Sequence, residues 1–269
     1  MSTYLIRAVH SADELEKVAN LQENIWGIEG RIPIPVMTAM IKNGGLIVAG
    51  MNEEEKCIGF ALGFPSKKND SCSIMYSHML AISPHYRNQG IGQQLKLFQR
   101  KKAKEMGYTH IQWTFDPLEI KNGYLNINRI GADVESYQVN YYGTMKDKIN
   151  VGMPSDRFII QWDCQKTLEE MCSEKHQNVD HWSSYPSLLN WRLEEEKLLV
   201  QSECGDTDDK GLRIPVPKSI NQLKREVMEE AIKWRIFVRN QILKYISKGY
   251  RIVGVLVTKE PVNYYIMEK

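Results

Sequence analysis

The sequence of 269 residues lacks the features that would place it in several common classes. No apolar run approaches 18 residues, so we predict no transmembrane helix. The formal net charge is only +2, which gives no reason to expect binding to nucleic acid or to a membrane surface. The N-terminus lacks the charged-then-apolar layout of a secretion signal. The five scattered cysteines favour reduced thiols, so we expect a cytoplasmic protein.

Cysteine and metal-binding patterns are also sparse. The five cysteines are scattered and form no CxxC pair. This distribution favours reduced thiols over a disulfide framework or a zinc site. His176 and His181 are five residues apart in a polar segment, which is not the spacing of a convincing metal pair. We expect no bound metal.

Two common phosphate-binding patterns are missing. No stretch has the spacing of a P-loop, in which a glycine precedes Gly-Lys-Ser/Thr by four residues. The dinucleotide pattern G-x-G-x-x-G is also absent, because Gly90-x-Gly92 is followed by Gln93-Gln94-Leu95. These absences exclude the simplest interpretations as a nucleotide hydrolase or a dinucleotide-dependent oxidoreductase.

The most informative feature present is the stretch from Arg87 to Gly92. It follows an apolar strand predicted over Ile74 to Ile82 and precedes a helix predicted to end at about Met106. That helix carries Ile91, Leu95 and Phe98 on one side, and Gly107 is placed as its C-terminal cap. Two glycines at a helix start leave the backbone bare, so unpaired N–H groups and the positive end of the helix dipole converge on one spot. The pattern predicts a site for a ligand that carries phosphate.

The order of the other predicted elements indicates the fold class. Helices alternate with strands only in the centre of residues 4–162, which predicts an α/β (α+β-like) fold with a mixed, mostly antiparallel central sheet flanked by helices. Residues 1–163 form the predicted first domain, residues 164–194 a linker or crossing segment, and residues 195–269 a C-terminal α/β subdomain. In that subdomain, a capping box at Ser219 predicts one long helix that ends at Gly249. In the first domain, a capping box at Ser11 predicts a helix, and residues Asn122 to Ile130 can form another that Gly131 ends.

Residues His78 to Leu95 resemble the central motif of the GNAT superfamily of acyl-CoA-dependent N-acyltransferases. The fixed positions of that motif are occupied by Arg87, Gly90 and Gly92. The resemblance extends over roughly residues 4–162 in element order. It implies a GNAT-type acyltransferase fold, here with an additional C-terminal α/β half.

The resemblance also implies acetyl-CoA or another acyl-CoA as cosubstrate. Backbone N–H groups of the loop would hold the CoA pyrophosphate, and the end of the preceding strand would pair with the pantetheine amides. The residues assigned to CoA are Leu80, Ala81, Ile82, Arg87, Asn88, Gln89, Gly90, Ile91, Gly92, Gln93, Asn122 and Asn126. For Arg87 the alternative is an ion pair with a surface carboxylate.

Candidates for the base and for substrate binding follow from the chemistry of acyl transfer, in which a neutral amine attacks a thioester. Strand alternation places His78 on the same face as Leu80 and Ile82, where an imidazole could deprotonate the amine. A half-buried structural histidine is the alternative. Asp116 is a candidate for binding the ammonium of the substrate, and its alternative role is to cap the turn before Pro117.

The general acid is where this sequence departs from the GNAT pattern. Many members have a tyrosine four residues before the glycine that ends the helix, but counting back from Gly131 leads to Ile127. Tyr124, Tyr141 and Tyr142 are the nearest alternatives, and we take Tyr124 and Tyr142 as catalytic candidates. The other interpretation of each tyrosine is packing.

The C-terminal half resembles the tail of a subgroup of large bacterial GNAT proteins, through Ile214-Pro-Val-Pro and the helix that carries Trp234-Arg235 and Arg239. This resemblance implies an amino acid as one candidate acceptor and succinyl as one candidate acyl group. Arg235 and Arg239 lie one turn apart and could bind a carboxylate, or they could belong to a solvated helix face.

Three functions remain open from the sequence. The first is acyl transfer, most often of acetyl, from CoA to a primary amine of a small molecule. The second is N-acetylation of a protein or peptide, and the third is CoA binding without catalysis. The expected partner is the small-molecule amine, and a homodimer is the expected assembly if the chain associates.

Overall fold

The structure, a computed structural model, describes residues 3–69, 72–143, 152–176 and 179–269. These parts of the chain contain both helices and strands, and several strands follow one another directly. The helices are α1 Ala12–Trp26, α2 Ile34–Lys42, α3 Ile91–Glu105, α4 Ile120–Gly123, α5 Leu168–His176, α6 Val179–Trp182, α7 Ile220–Glu226 and α8 Met228–Ser247. The strands are β1 Tyr4–Ala8, β2 Leu46–Asn52, β3 Cys57–Asn69, β4 Cys72–Ile82, β5 His110–Phe115, β6 Asp133–Gln138, β7 Arg157–Asp163, β8 Leu189–Glu194, β9 Lys197–Glu203, β10 Gly211–Pro217, β11 Arg251–Leu256 and β12 Val262–Glu268.

Seven of these strands form the central sheet, in the order β1-β2-β3-β4-β5-β7-β6. The pairs β1/β2, β2/β3 and β3/β4 are antiparallel, and β4 pairs with β5 in parallel. The parallel pair contains the α3 crossover, as a parallel connection requires. The predicted mixed, mostly antiparallel sheet with flanking helices is confirmed.

The chain divides into two compact units. Among the described residues, those up to Trp113 and residues 161–166 form the first unit, and the others form the second. The predicted first domain, residues 1–163, is therefore divided. Its later part groups with the C-terminal elements because polar side chains hold them together: Asn128 bonds both the N–H and the C=O of Val255, at 2.9 and 3.1 Å.

In the first unit, α1 and α2 pack against β2, β3 and β4. The helix α1 begins at the predicted capping box, in which the Glu14 N–H donates to Ser11 Oγ and the Ser11 N–H donates to the Glu14 carboxylate. The core beneath these helices includes Leu15, Phe60 and Leu62, each fully buried. This packing fixes one face of the sheet.

The helix α3 belongs to the same unit. Its buried residues are Ile91, Leu95, Lys96, Gln99 and Ala103. The sequence pattern predicted Phe98 on the buried side, but the structure leaves Phe98 only partly buried. Gly107 follows the helix with φ +86°, in agreement with its predicted role at the C-terminal end.

The second unit contains a three-stranded sheet, β10-β12-β11, and the hairpin β8-β9. The helix α8 supplies Trp234, which is fully buried and donates from Nε1 to the carbonyl of Leu198, at 3.1 Å. Tyr245 and Tyr265 are also fully buried. These large side chains form a core that belongs to the C-terminal half itself.

Residues 164–194, predicted as a linker or crossing segment, contain α5, α6 and β8. The start of α5 has a capping box in which the Thr167 N–H donates to the Glu170 carboxylate and the Glu170 N–H donates to Thr167 Oγ1. Trp182 at the end of α6 is 2% exposed. A capping signal and a buried tryptophan therefore order this segment.

The predicted long helix from Ser219 to Gly249 is two helices, α7 and α8. The chain is extended at Val227, with φ −147° and ψ 86°, and this residue separates them. The predicted capping box at Ser219 is absent, because Gln222 donates to Glu226 instead. A β-branched residue in an extended conformation thus interrupts the apolar stripe.

Candidate active site

The strands β4 and β5 separate part of the way along their length. Their parallel pairing covers Ile74–Tyr76 opposite His110–Gln112. The strand β4 continues to Ile82 and stays paired with β3 on its other side. Among the described residues, residues 77–82 therefore have an edge that is not paired with β5, and such an edge can pair with a peptide-like ligand.

A β-bulge lies where the separation begins. The register of β4 against β3 passes from Met79 opposite Leu62 to Ser77 opposite Gly63, so His78 is the extra residue. As a result, Ser77 contacts α3 through its hydroxyl, whereas Met79 packs against the core under α1 and α2. The bulge breaks the two-residue alternation of side chains.

The prediction that His78 shares a face with Ile82 is wrong for this reason. The His78 ring lies against Phe64 and Tyr76, with centroid distances of 5.8 and 6.3 Å, whereas Ile82 lies beside Leu95 of α3, next to Gly59. The edge of His78 remains exposed. Desolvation by its surroundings lowers the pKa of His78, which favours the neutral imidazole that a base needs.

The loop after β4 ends at Gly90, whose left-handed backbone (φ +79°) starts α3 without a side-chain cap. The first backbone bond of the helix runs from the Gln94 N–H to the Gly90 carbonyl, at 3.1 Å. In the part of the chain that the structure describes, the N–H groups of residues 88–93 have no acceptor. Donors without an acceptor in the loop and in the first turn of α3 are an arrangement that can hold an anion.

The space around the loop is open. Among the described residues, a Cβ added to Gly90 would have no neighbour within 4 Å, and one added to Gly92 would meet only Ile82, at 3.9 Å. Packing within the protein therefore does not require glycine at either position, although the φ of Gly90 favours it. The bare backbone leaves room for a ligand to approach the N–H groups.

The side chains of the loop bond to the loop itself. Arg87 donates from Nε to the carbonyl of Ile82, at 3.1 Å, and Gln89 donates to the carbonyl of His85. No carboxylate of the described residues pairs with Arg87, so the alternative ion pair is not formed there. Asn88 has a positive φ of 61° and shapes the turn.

The three strand residues assigned to CoA differ in their environments. Ala81 is buried in the core under α1 and α2. Leu80 and Ile82 are partly buried. Any contact of Ala81 with a ligand in the slot would therefore be through its backbone.

A buried lysine lies at the point where β4 and β5 separate. Lys96 of α3 is 2% exposed, and its Nζ donates to Ser77 Oγ at 3.0 Å and to Gln99 Oε1 at 3.4 Å. The Nζ also lies 3.7 Å from the ring centroid of Trp113 on β5. Desolvation lowers the pKa of Lys96 to about 7.

In the second unit, Asp116 is not free to bind an ammonium group, contrary to prediction. Its Oδ2 accepts from Arg235 at 2.5 Å and lies 3.8 Å from Arg157 Nη1. Its Oδ1 accepts from the N–H of Leu118 at 2.7 Å. The carboxylate thus caps the turn at Pro117, which is the alternative role of this residue. Both oxygens therefore have structural partners.

Arg235 and Arg239 do not form a solvated helix face. Arg235 is 1% exposed and pairs with Asp116. Arg239 binds both oxygens of Asp156 in a fork, at 2.7 and 2.8 Å. Because each arginine already has a carboxylate inside the second unit, we do not propose a substrate carboxylate for either one.

The candidate tyrosines lie in the second unit. Tyr142 is 41% exposed, and its Oη is 3.0 Å from Thr114 Oγ1, while the Arg157 guanidinium lies 5.3 Å from its ring centroid. Tyr124 is partly buried, with Arg129 over its ring at 5.7 Å. Tyr142 is therefore the more exposed residue of the two.

The predicted helix over Asn122 to Ile130 begins as α4 and continues as a π-helical turn over Tyr124–Arg129. Ile127, at the position usually occupied by tyrosine, is completely buried. Asn122 is exposed and Asn126 is 6% exposed. A π-turn is rare and is found often at functional sites.

Sequence reasoning missed Lys96 and Gln99. Both lie on the buried face of α3, because Gln99 follows Leu95 by four residues and Lys96 precedes Ala103 by seven. A helical projection of α3 places both polar side chains beside the apolar stripe. This position is the signal in the sequence that could have identified them as buried. The Asp156–Arg239 pair joins residues 83 apart, and no sequence pattern signalled it.

Residues 15–120 match the model of the acetyltransferase (GNAT) family. The matched segment runs from α1 to the start of α4 and includes the loop and the bulge. The chain therefore carries a GNAT acetyltransferase domain over these residues. The comparison with curated proteins gave no match.

Solved structures of GNAT proteins have similar folds. The protein yncA of Salmonella typhimurium, solved with its cofactor acetyl-CoA, is 13% identical with a TM-score of 0.50, over 62% of this chain and 96% of that one. The ribosomal-protein-S18-alanine N-acetyltransferase of Escherichia coli is 13% identical with a TM-score of 0.48, over 61% and 96%. Arabidopsis thaliana NAA60 in complex with acetyl-CoA is 15% identical with a TM-score of 0.48, over 60% and 99%.

None of the helices formed by the described residues has both the length and the apolar character to cross a bilayer. Among the same residues, no three His, Cys, Asp or Glu side chains cluster in a way that would hold a metal ion.

Proposed function

We propose that the protein is an acyl-CoA-dependent N-acyltransferase that moves an acyl group, acetyl foremost, to a primary amine of a small molecule. The observation that carries the proposal is the set of N–H groups at residues 88–93, which have no acceptor within the described part of the chain, next to the edge of β4 that is not paired with β5 there. A diphosphate fits the first feature, and a chain of amides fits the second. The family match over residues 15–120 supports the same ligand.

In the proposed complex, the N–H groups of the loop bind the CoA pyrophosphate and Arg87 adds a positive charge. The pantetheine arm runs back along β4 from Ile82 toward Ser77. Five residues of strand span about 16 Å, which an extended pantetheine arm can follow. The thioester then lies near the bulge at His78.

The proposed reaction is direct attack. The neutral amine nitrogen forms a bond with the thioester carbonyl carbon, the tetrahedral intermediate collapses, and the C–S bond breaks. A backbone N–H at the bulge is a suitable donor to the oxyanion. The CoA thiolate leaves readily because a thiol has a pKa near 8.5, so strong acid catalysis is not required.

His78 is the proposed base. Its lowered pKa keeps the ring neutral at physiological pH, so the ring can accept the proton of the attacking amine directly or through water. We retain Tyr142 and Tyr124 as proposed proton donors to the thiolate, and Asn122 and Asn126 as proposed partners of the pantetheine arm.

A cytoplasmic location is proposed from the cysteines, because the four whose side chains the structure describes are free thiols.

A thiol-release assay tests the function. Acetyl-CoA and succinyl-CoA are offered with a panel of amino acids, other small primary amines and short peptides. The proposal expects amine-dependent release of CoA with small molecules. Release with peptides alone would favour protein acetylation, and binding of acyl-CoA without release for any acceptor would favour a CoA-binding module.

A further inference from the structure

The buried lysine of α3 has no carboxylate partner among the described residues. The groups that face Lys96 Nζ are Ser77 from β4, Gln99 from α3 and Trp113 from β5. The titratable group whose charge it senses is the Cys164 thiol, after the end of β7. That thiol is itself neutral at physiological pH, because burial raises its pKa to about 11.

Such an arrangement lowers the free energy of unfolding. Taking an ammonium group out of water costs several kcal/mol unless an opposite charge compensates it. A methionine of similar length would fill the same space without that cost. A functional role therefore explains a lysine at this position better than packing does.

The place of Lys96 indicates the use. Tyr76 and Gln112 are the last residues that pair β4 with β5. Ser77 and Trp113 are the next residue on each strand, and the Lys96 amine contacts both of them. The lysine thus bridges the two strands at the closed end of the slot.

We propose that Lys96 is a positioning residue of acyl transfer: its ammonium group links Ser77 to Trp113 and fixes the width of the slot where the thioester lies. This inference depends on the proposed function, since it needs acyl-CoA in the slot. The link requires the proton. The ammonium form donates to Ser77 Oγ and Gln99 Oε1 and attracts the Trp113 ring, whereas the neutral amine loses the attraction to the ring.

The direction of the pH dependence follows. The protonated form of Lys96 is the competent one, so turnover falls as pH rises through the pKa of this group, which desolvation has lowered to about 7. Deprotonation of the amine acceptor acts in the opposite direction, because only the neutral amine attacks. The wild-type profile of kcat against pH should therefore have a falling limb at high pH. Deprotonation of the acceptor cannot cause this limb, because it raises the rate.

The test compares Lys96→Met and Lys96→Arg with the control Lys101→Met, which replaces an exposed lysine of the same helix. Calorimetry gives the Kd for CoA, and thiol release gives kcat from pH 6 to 9. We expect Lys96→Met to lower kcat at least tenfold, to change the Kd for CoA less than threefold, and to lose the falling limb. Lys96→Arg keeps a charge and should recover part of kcat without that limb, while Lys101→Met should match the wild type.

Two further outcomes are decisive. A Lys96→Met protein that keeps kcat within twofold and retains the falling limb overturns the inference. If Lys96→Met does not fold, Ser77→Ala removes the same link with a smaller change, and unchanged kcat and pH profile in that variant overturn the inference as well. Failure of the proposed function is distinguishable, since the wild type itself would then release no thiol with any acceptor, whether or not it binds CoA in the calorimeter.

Discussion

The buried carboxylate of Asp156 should contribute strongly to the stability of the second unit. It is fully buried and accepts four hydrogen bonds, two from the Arg239 fork, one from Tyr137 Oη at 2.5 Å and one from the Asn140 N–H at 3.1 Å. Asp156→Asn keeps the shape but removes the charge, and it points an amide N–H at groups that are themselves donors. Breaking a buried ion pair by changing one partner costs about 3–5 kcal/mol.

The assay is unfolding in denaturant, monitored by hydrogen exchange of the backbone amides of α8, so the measured opening free energy is that of the second unit. We expect Asp156→Asn to lower its opening free energy by about 3–5 kcal/mol. The matched control is Asp206→Asn, which faces Lys244 of α8 and Lys248 directly after it. The Asp206 side chain is 61% exposed, so this change should have little effect. A loss below about 1 kcal/mol for Asp156→Asn would refute the reasoning.

The same carboxylate predicts a pH dependence. Burial tends to raise the pKa of Asp156, but the bonds from Arg239, Tyr137 and Asn140 prevail and lower it. A lowered carboxyl pKa contributes stability that is present above the unfolded pKa near 3.9 and is lost as pH falls through the folded pKa. The wild type should therefore lose this contribution at acid pH, whereas Asp156→Asn should lack it at every pH.

Three other predictions concern separate parts of the chain. Lys96→Met should be at least as stable as the wild type near pH 7. The wild type should gain stability, by at most about 5 kcal/mol, as pH rises from about 7 toward 10.5, because the folded state releases the Lys96 proton first. Parallel denaturation curves of the two proteins at several pH values check both expectations. Gly254→Ala should destabilise the second unit by more than 1 kcal/mol, since its Cβ would lie 2.2 Å from the Trp182 ring, whereas Gly205→Ala meets nothing within 4 Å and serves as control in the same measurement. Tyr142→Phe should lower kcat with little change in the Kd for CoA if its exposed hydroxyl delivers the proton, and an unchanged kcat would remove it from the proposed mechanism.

The local pattern of the sequence was sufficient for much of the fold. The capping box at Ser11, the strand before the loop and the glycine that ends α3 were predicted because each depends on residues close in sequence. The loop from Arg87 to Gly92 was identified for the same reason. Its geometry follows from two glycines and a helix start, which are visible without any tertiary information.

The failures have physical causes that are not local. The bulge at His78 depends on the register between β3 and β4, so strand alternation gave the wrong face for that ring. The partners of Asp116 and Asp156 lie on α8, 119 and 83 residues away. The break at Val227 divides an apolar stripe that continues on both sides, so periodicity alone could not reveal it.

The central claim is that bare N–H groups of residues 88–93 bind the diphosphate of acyl-CoA. Calorimetry with acetyl-CoA tests it on the wild type, Gly90→Val and Gly107→Val. Gly90 and Gly107 both have positive φ, at opposite ends of α3, and neither has a neighbour within 4 Å of an added Cβ, so the two variants carry a similar backbone cost of about 1–2 kcal/mol. The account predicts binding to the wild type and Gly107→Val and at least tenfold weaker binding to Gly90→Val. No heat with folded wild-type protein, or equal affinity in all three proteins, would contradict it.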